Sequence, residues 1–289
     1  MNGILLIDKP KNYTSRDVVN IIGKKLHTKK IGHTGTLDPI ATGVLVLCIG
    51  NCTKLVDLIT AYDKEYLATV ILGIQTDTLD ITGNILKNEQ VDNIDKNIII
   101  DALNHFKGEY FQEVPKYSAI KINGKKLYEY ARQNKEIVLP KRKVKIKNIE
   151  LISDIKYTED NKLIFQFKTT VSKGTYIRSL INDIGNYLGV SATMQDLRRL
   201  KQGNFKIINC NNIEDESFKI LSITDVLDLP KYEIKDKDLR KKIINGAIVN
   251  NIYNNQTVMF TIDNNVVAIY KIYNKDNTKL KPYKMFVNY

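Results

Sequence analysis

The residues best suited to chemistry lie close together in Gly32-His33-Thr34-Gly35-Thr36-Leu37-Asp38-Pro39-Ile40-Ala41-Thr42-Gly43. Glycines in this stretch permit tight turns and close approach of a ligand to the backbone. Pro39 disfavours helical backbone at Asp38, which places that carboxylate on a constrained, extended loop. A carboxylate held in this way serves as a nucleophile or as a general base. An Asp-Pro pair also simply closes a turn, and the loop alone leaves both readings open. The segment lacks the Gly-Lys-Ser/Thr ending of a phosphate-binding loop.

Other reactive side chains are sparse. Cys48, Cys52 and Cys210 form no disulfide framework, and His27, His33 and His105 complete no zinc set with them, so no metal site is expected. The net charge of +12 and pI of about 9.3 favour a polyanionic partner. Between Lys121 and Lys147 stand ten basic residues against two acidic ones, Glu129 and Glu136, with Tyr128 and Tyr130 among them. Cations interleaved with aromatic rings suit a strand of stacked bases better than a merely solvated face does. Gly32-x-x-Gly35 beside Lys29 and Lys30 has the spacing of a KH clamp, but such a clamp joins two helices, and here Leu-Asp-Pro and a strand follow. No apolar run is long enough to span a bilayer, and Met1 to Asp8 does not read as a signal peptide, so the expected location is cytoplasmic.

The elements that must position the loop show in the hydrophobic pattern. Gly3 to Ile7 reads as a strand stopped by Lys9-Pro10. Thr14 or Ser15 caps a helix with apolar Val18, Ile21, Ile22 and Leu26. Val44 to Ile49 is a continuous apolar run, as in a buried strand. Tyr66, Ala68, Val70 and Leu72 alternate, as do Leu163, Phe165 and Phe167, each marking a strand with one face inward. Ile98, Ile99, Ala102, Leu103 and Phe106 form a helical stripe ending at Gly108; Ile177, Leu180, Ile181, Ile184 and Leu188 form another. Helices and strands are not in regular βαβ order, so the expected class is α+β. After Leu229-Pro230 the texture becomes short β runs (Thr257 to Ile262, Val266 to Tyr273, Met285 to Val287), with a domain boundary expected near residues 225 to 231.

Gly32 to Pro39 followed by Ala41-Thr42-Gly43-Val44-Leu45 resembles the catalytic motif of bacterial tRNA pseudouridine-55 synthases, the TruB family. Leu6-Ile7-Asp8-Lys9-Pro10, Lys64-Glu65-Tyr66 and Leu72 to Asp80 resemble its opening and second signatures. Tyr117-Ser118-Ala119 through Asn123-Gly124-Lys125-Lys126-Leu127-Tyr128-Glu129-Tyr130-Ala131-Arg132 resembles the insertion of the bacterial branch. Ser172 to Leu180 and Leu197-Arg198-Arg199-Leu200 resemble the last two. These motifs occur in order over about the first 205 residues.

The resemblance implies a mixed, mostly antiparallel catalytic domain over residues 1–228 and a small β-rich, PUA-like domain over 229–289. It implies isomerisation of uridine 55 in the tRNA T loop, without cofactor and without guide RNA. Asp38 matches the essential aspartate, Arg178 the arginine that pairs with it, and Tyr66 the active-site tyrosine expected to stack on the uracil. By helix phase Arg178 stands about 100° from core Ile177, which is also where a solvated arginine sits. Tyr66 falls on an inward strand phase and equally suits the core. Asp80 and Tyr176 match positions lining the pocket, Leu197 its apolar wall, and His33 a histidine touching the RNA loop. Lys9 is expected to be structural. Residues 121–149 are expected to form a mobile loop that closes on the RNA, with Lys125, Lys126, Arg132, Lys141, Arg142 and Lys143 facing phosphates. Nothing in the sequence demands more than a monomer.

Overall fold

A computed structural model of the chain describes residues 1–92, 94–133, 135 and 137–286. The strands of its large sheet follow the order Gly3–Lys9, Thr42–Ile49, Ala192–Gln202, Lys64–Leu72, Leu163–Val171, Lys141–Leu151 and Gly108–Glu113. Neighbours along this path are antiparallel except Thr42–Ile49 and Ala192–Gln202, which run parallel. A smaller sheet has the order Lys231–Glu233, Thr257–Ile262, Asn265–Tyr273, Asp276–Met285 and Val249–Asn250. The α+β class is as expected, with a mostly antiparallel main sheet and a β-rich C-terminal unit of PUA-like character.

The two kinds of hydrophobic pattern have one cause, namely how many faces of a strand are covered. Leu5, Ile7, Leu45, Leu47 and Ile49 pack beneath the Ser15–Lys25 helix. The alternate residues Ile4, Leu6, Val44, Val46 and Cys48 pack on the other side with Met259, Ile269 and Phe286 of the C-terminal region. Both faces are dry, so the Val44 to Ile49 run is apolar throughout. In Lys64–Leu72 and Leu163–Val171 only one face joins the core formed with Ile99, Leu103, Leu180, Ile181 and Ile184, and burial alternates residue by residue. Each fully buried Leu, Ile or Phe in these clusters contributes about 1.5–3 kcal/mol relative to exposure.

Several expectations shift in detail. Ile98 is 42% exposed, and the Lys96–His105 helix buries Ile99, Ala102 and Leu103 instead. The region 121–149 is not one loop, because Lys141–Leu151 is a strand of the main sheet paired on both sides. Its lysine content masks an alternation in which Val144 and Ile146 are buried. The remainder folds as a short hairpin, Lys121–Ile122 with Lys125–Lys126, and a helix, Leu127–Arg132. The last strand is Asp276–Met285, which starts earlier than expected; Val287 lies outside the described residues.

Candidate active site

The loop between Ile31–His33 and Thr42–Ile49 is tied down along its length. Gln202 Nε2 donates to Thr34 O and Oγ1 at 3.2 and 2.8 Å, and Arg199 Nη2 donates to Gly35 O at 3.2 Å. Ser15 Oγ accepts from Leu37 N at 2.9 Å and donates to Leu37 O at 3.2 Å. Ser15 is available there because Thr14 caps its helix through a reciprocal bond with Asp17. Asn12 N and Lys9 Nζ both donate to Pro39 O, at 2.8 and 3.3 Å. Lys9 is fully buried, also donates to Pro10 O and Tyr13 O, and has its pKa lowered to about 8 by burial. Its structural role is as expected. Gly43 closes the loop at φ +103°, and a Cβ there would lie 2.2 Å from Arg199 O, because the two parallel strands meet at this pair. No side chain fits.

Asp38 is thus presented at a fixed point, and Arg178 meets it. Arg178 Nε lies 2.9 Å from Asp38 Oδ2, and Nη2 donates to Oδ1 at 3.2 Å, a two-pronged pair. The Arg178 side chain is 5% exposed and that of Asp38 34%, so the arginine forms the inner partner and the carboxylate the outer. Consecutive burial of Ile177, Arg178, Ser179, Leu180 and Ile181 removes the solvated alternative for Arg178. Its other contacts go to Thr78 O at 2.7 Å, Tyr117 O at 2.9 Å and Asp80 Oδ2 at 3.7 Å.

Burial pushes the Asp38 carboxyl above the usual carboxylate range; Arg178 and Lys9 oppose the rise and Asp80 adds to it. Arg178 therefore limits the upward shift instead of reversing it.

A cavity of about 490 Å³ opens in front of the pair, within the usual range for small-ligand sites. Asp38, Tyr66, Tyr176, Arg178 and Leu197 all line it. Tyr66 and Leu197 lie on adjoining strands and are 8% and 5% exposed. Tyr66 belongs to the core cluster and to the cavity wall at once.

Other expected residues sit elsewhere. Asp80 is outside the cavity lining, behind Arg178, where Oδ1 accepts from Thr78 Oγ1, Thr82 N and Thr82 Oγ1. His33 pairs with Leu47 in its strand and is likewise outside the lining; burial, then Arg16 and Arg199, lower its pKa and favour the neutral imidazole.

Among the basic residues, Lys126 and Arg132 flank the ring of Tyr128, at 5.3 and 5.4 Å from its centroid, and Tyr128 reaches the cavity wall. Lys125 lies in the same hairpin. Lys141, Arg142 and Lys143 pair with Glu113, Gln112 and Phe111. Strand alternation puts Arg142 on the face opposite Lys141 and Lys143, and Lys143 Nζ is bound to Glu109 at 2.7 Å.

Sequence reasoning missed Lys64 and Arg199, both buried and both in the cavity wall. Lys64 Nζ donates to Thr60 O and Tyr62 O at 2.6 and 2.7 Å, and burial, then Arg199, lower its pKa to about 8. A signal existed: Lys64 shares the inward phase of Tyr66 and Ala68, and Arg199 that of Leu197.

Comparison with known proteins gives the family of the chain. The model of the "TruB family pseudouridylate synthase (N terminal domain)" matches residues 23–177, and that of the "tRNA pseudouridylate synthase B C-terminal domain" matches residues 178–243. A tRNA pseudouridine synthase B of Clostridium tetani is 48% identical, covering 81% of this chain and 80% of that protein. One of Staphylococcus aureus (strain N315) is 42% identical over 99% of both. Among solved structures, a Cbf5-Nop10-Gar1 complex matches with TM-score 0.70 and 27% identity, covering 99% of this chain and 85% of that one. An H/ACA RNP bound to a substrate RNA containing 2'-deoxyuridine matches with TM-score 0.69 and 25% identity, at the same coverage. No helix among the described residues is long and apolar enough to cross a membrane. The chain belongs to the TruB family of pseudouridine synthases, tRNA-binding enzymes that isomerise uridine 55 of the T loop.

Proposed function

We propose that Asp38 is the catalytic carboxylate with which this chain converts uridine 55 to pseudouridine. The observation that carries the reading is the two-pronged pair of Asp38 with buried Arg178 at a cavity walled by Tyr66. The target nucleotide leaves its stack, at a cost of a few kcal/mol, and enters that cavity. Tyr66 stacks on the uracil, while Leu197 and Tyr176 close the wall. Asp38 acts as nucleophile or as base. The bond from N1 to the ribose breaks, the base turns, and C5 joins the same ribose carbon; C5 gives up its proton and N1 gains one, so the atoms balance. Arg178 aims the carboxylate, and Asp80 holds Arg178 from behind. His33 contacts the RNA loop around the extruded nucleotide.

Contacts from Lys125, Lys126, Arg132, Lys141, Arg142 and Lys143 to phosphates offset the unstacking cost. Residues 1–228 form the catalytic domain and 229–289 an RNA-binding appendage. The reaction takes place in the cytoplasm and needs no guide RNA or protein partner, because the Asn123 to Tyr128 insertion is of the stand-alone bacterial type. Incubating the purified chain with an unmodified tRNA transcript and mapping pseudouridine chemically tests this. We expect modification at position 55 without added factors. Modification outside the T loop, or a requirement for added components, overturns the assignment.

A further inference from the structure

We propose that Gln112 is a positioning residue for the isomerisation, holding through the backbone of Tyr176 the helix end from which Arg178 reaches Asp38. The inference rests on the reading of Asp38 and Arg178 given above.

The Ile177–Leu188 helix starts directly after a turn at Ser172 to Thr175, with Gly174 at φ +82°. Tyr176 occupies the N-cap position, but its side chain makes no capping bond. Gln112, on the Gly108–Glu113 strand and only 1% exposed, supplies a grip from outside. Its Oε1 accepts from Tyr176 N at 2.8 Å, and its Nε2 donates to Tyr176 O at 3.1 Å. One side-chain amide therefore engages both polar groups of a single backbone residue, much as a neighbouring strand would. The same Nε2 donates to Tyr110 Oη at 2.6 Å, and Tyr110 Oη donates to Asp183 Oδ2 at 3.2 Å.

Asp183 lies further along the same helix, about 10 Å from Tyr176 at 1.5 Å per residue. The helix is thus held from one strand at two points, and Arg178 lies between them in sequence. Only a primary amide offers the acceptor and the two donors this arrangement uses. Arg178 must present two nitrogens to two carboxylate oxygens, so a small change in the helix start misaims both.

The test uses full-length Gln112→Leu and Gln112→Glu. Glutamate keeps the acceptor for Tyr176 N but turns a carboxylate oxygen toward Tyr176 O in place of the donor, so its effect should be at least as large. Single-turnover rate at saturating tRNA, tRNA affinity and the pH-rate profile are measured per tRNA-binding-competent molecule. We expect Gln112→Leu to slow the reaction about ten- to a hundredfold with tRNA affinity unchanged. The acid limb of its pH profile should move upward, in the direction that loss of Arg178 produces. An unchanged rate per competent molecule with an unmoved limb in both variants overturns the proposal, and so does a loss explained wholly by fewer folded molecules. If Gln112→Leu does not fold, Gln112→Glu alone decides. Asp38→Asn run in parallel separates the two levels: if it remains active, the parent reading of the site falls instead.

Discussion

Two stretches of chain border the cavity, and they are held in very different ways. Residues 34–41 are fixed by bonds from Ser15, Lys9, Asn12, Arg199 and Gln202, several of them wholly buried. Among the described residues of 114–140, burial is confined to Val114, Pro115, Ser118 and Leu127. Backbone pairing of Val114 with Pro140 closes the base of this insertion. Arg178 joins the two stretches, since one guanidinium binds both Asp38 and Tyr117 O. The contrast points to a division of labour. On the proposed function, the pinned loop sets the chemical rate by fixing a carboxylate, and the weakly tethered cationic insertion sets affinity for the polyanion.

Arg178→Ala removes the junction and should have the largest effect, a rate loss of about a hundredfold or more, because a buried ion pair is broken on one side. It also tests the electrostatics. If Asp38 acts as proposed, activity requires its ionised form and should fall as pH drops through that group's pKa. Arg178 is the main influence lowering this pKa, so its removal should shift the acid limb to higher pH. A limb that stays in place would mean another group titrates there.

Ser15→Ala should come next. It unpairs both Leu37 backbone groups at a buried position and should cost about 1–3 kcal/mol in urea unfolding. A rate loss of about tenfold at unchanged tRNA affinity should accompany it, as the loop loosens. Loss of affinity in step with rate would erase the contrast between the two stretches.

Replacing Lys141, Arg142 and Lys143 by glutamine should leave the saturated rate intact. Binding should weaken, with the slope of log affinity against log salt reduced by about 2 as fewer counterions are released. Lys143 already has Glu109 as a partner, so it should contribute least of the three. An unchanged slope would remove this strand from the RNA interface.

The sequence carried the frame of this site well where periodicity had one physical cause. One-sided strands alternate, two-sided strands run apolar, and both types were readable. Asp38, Arg178 and Tyr66 were readable through motif resemblance, and the cavity brings them together. The strand from Lys141 does not show in the sequence, because exposed lysines hide the buried Val144 and Ile146. Lys64 and Arg199 obeyed the inward phase, yet their charge argued against burial until the carbonyls that receive them were known. Ser15, Gln112 and Gln202 were beyond reach for a different reason. Their partners lie 22, 64 and 168 residues away, and no local pattern encodes a pairing that only the fold creates.

The central claim is tested most directly by Asp38→Asn, which keeps the side chain's size and removes its charge. With saturating unmodified tRNA in a single turnover, pseudouridine formation should disappear while tRNA binding stays near the wild-type level. Pseudouridine forming at the wild-type rate would contradict the account, whatever the binding showed.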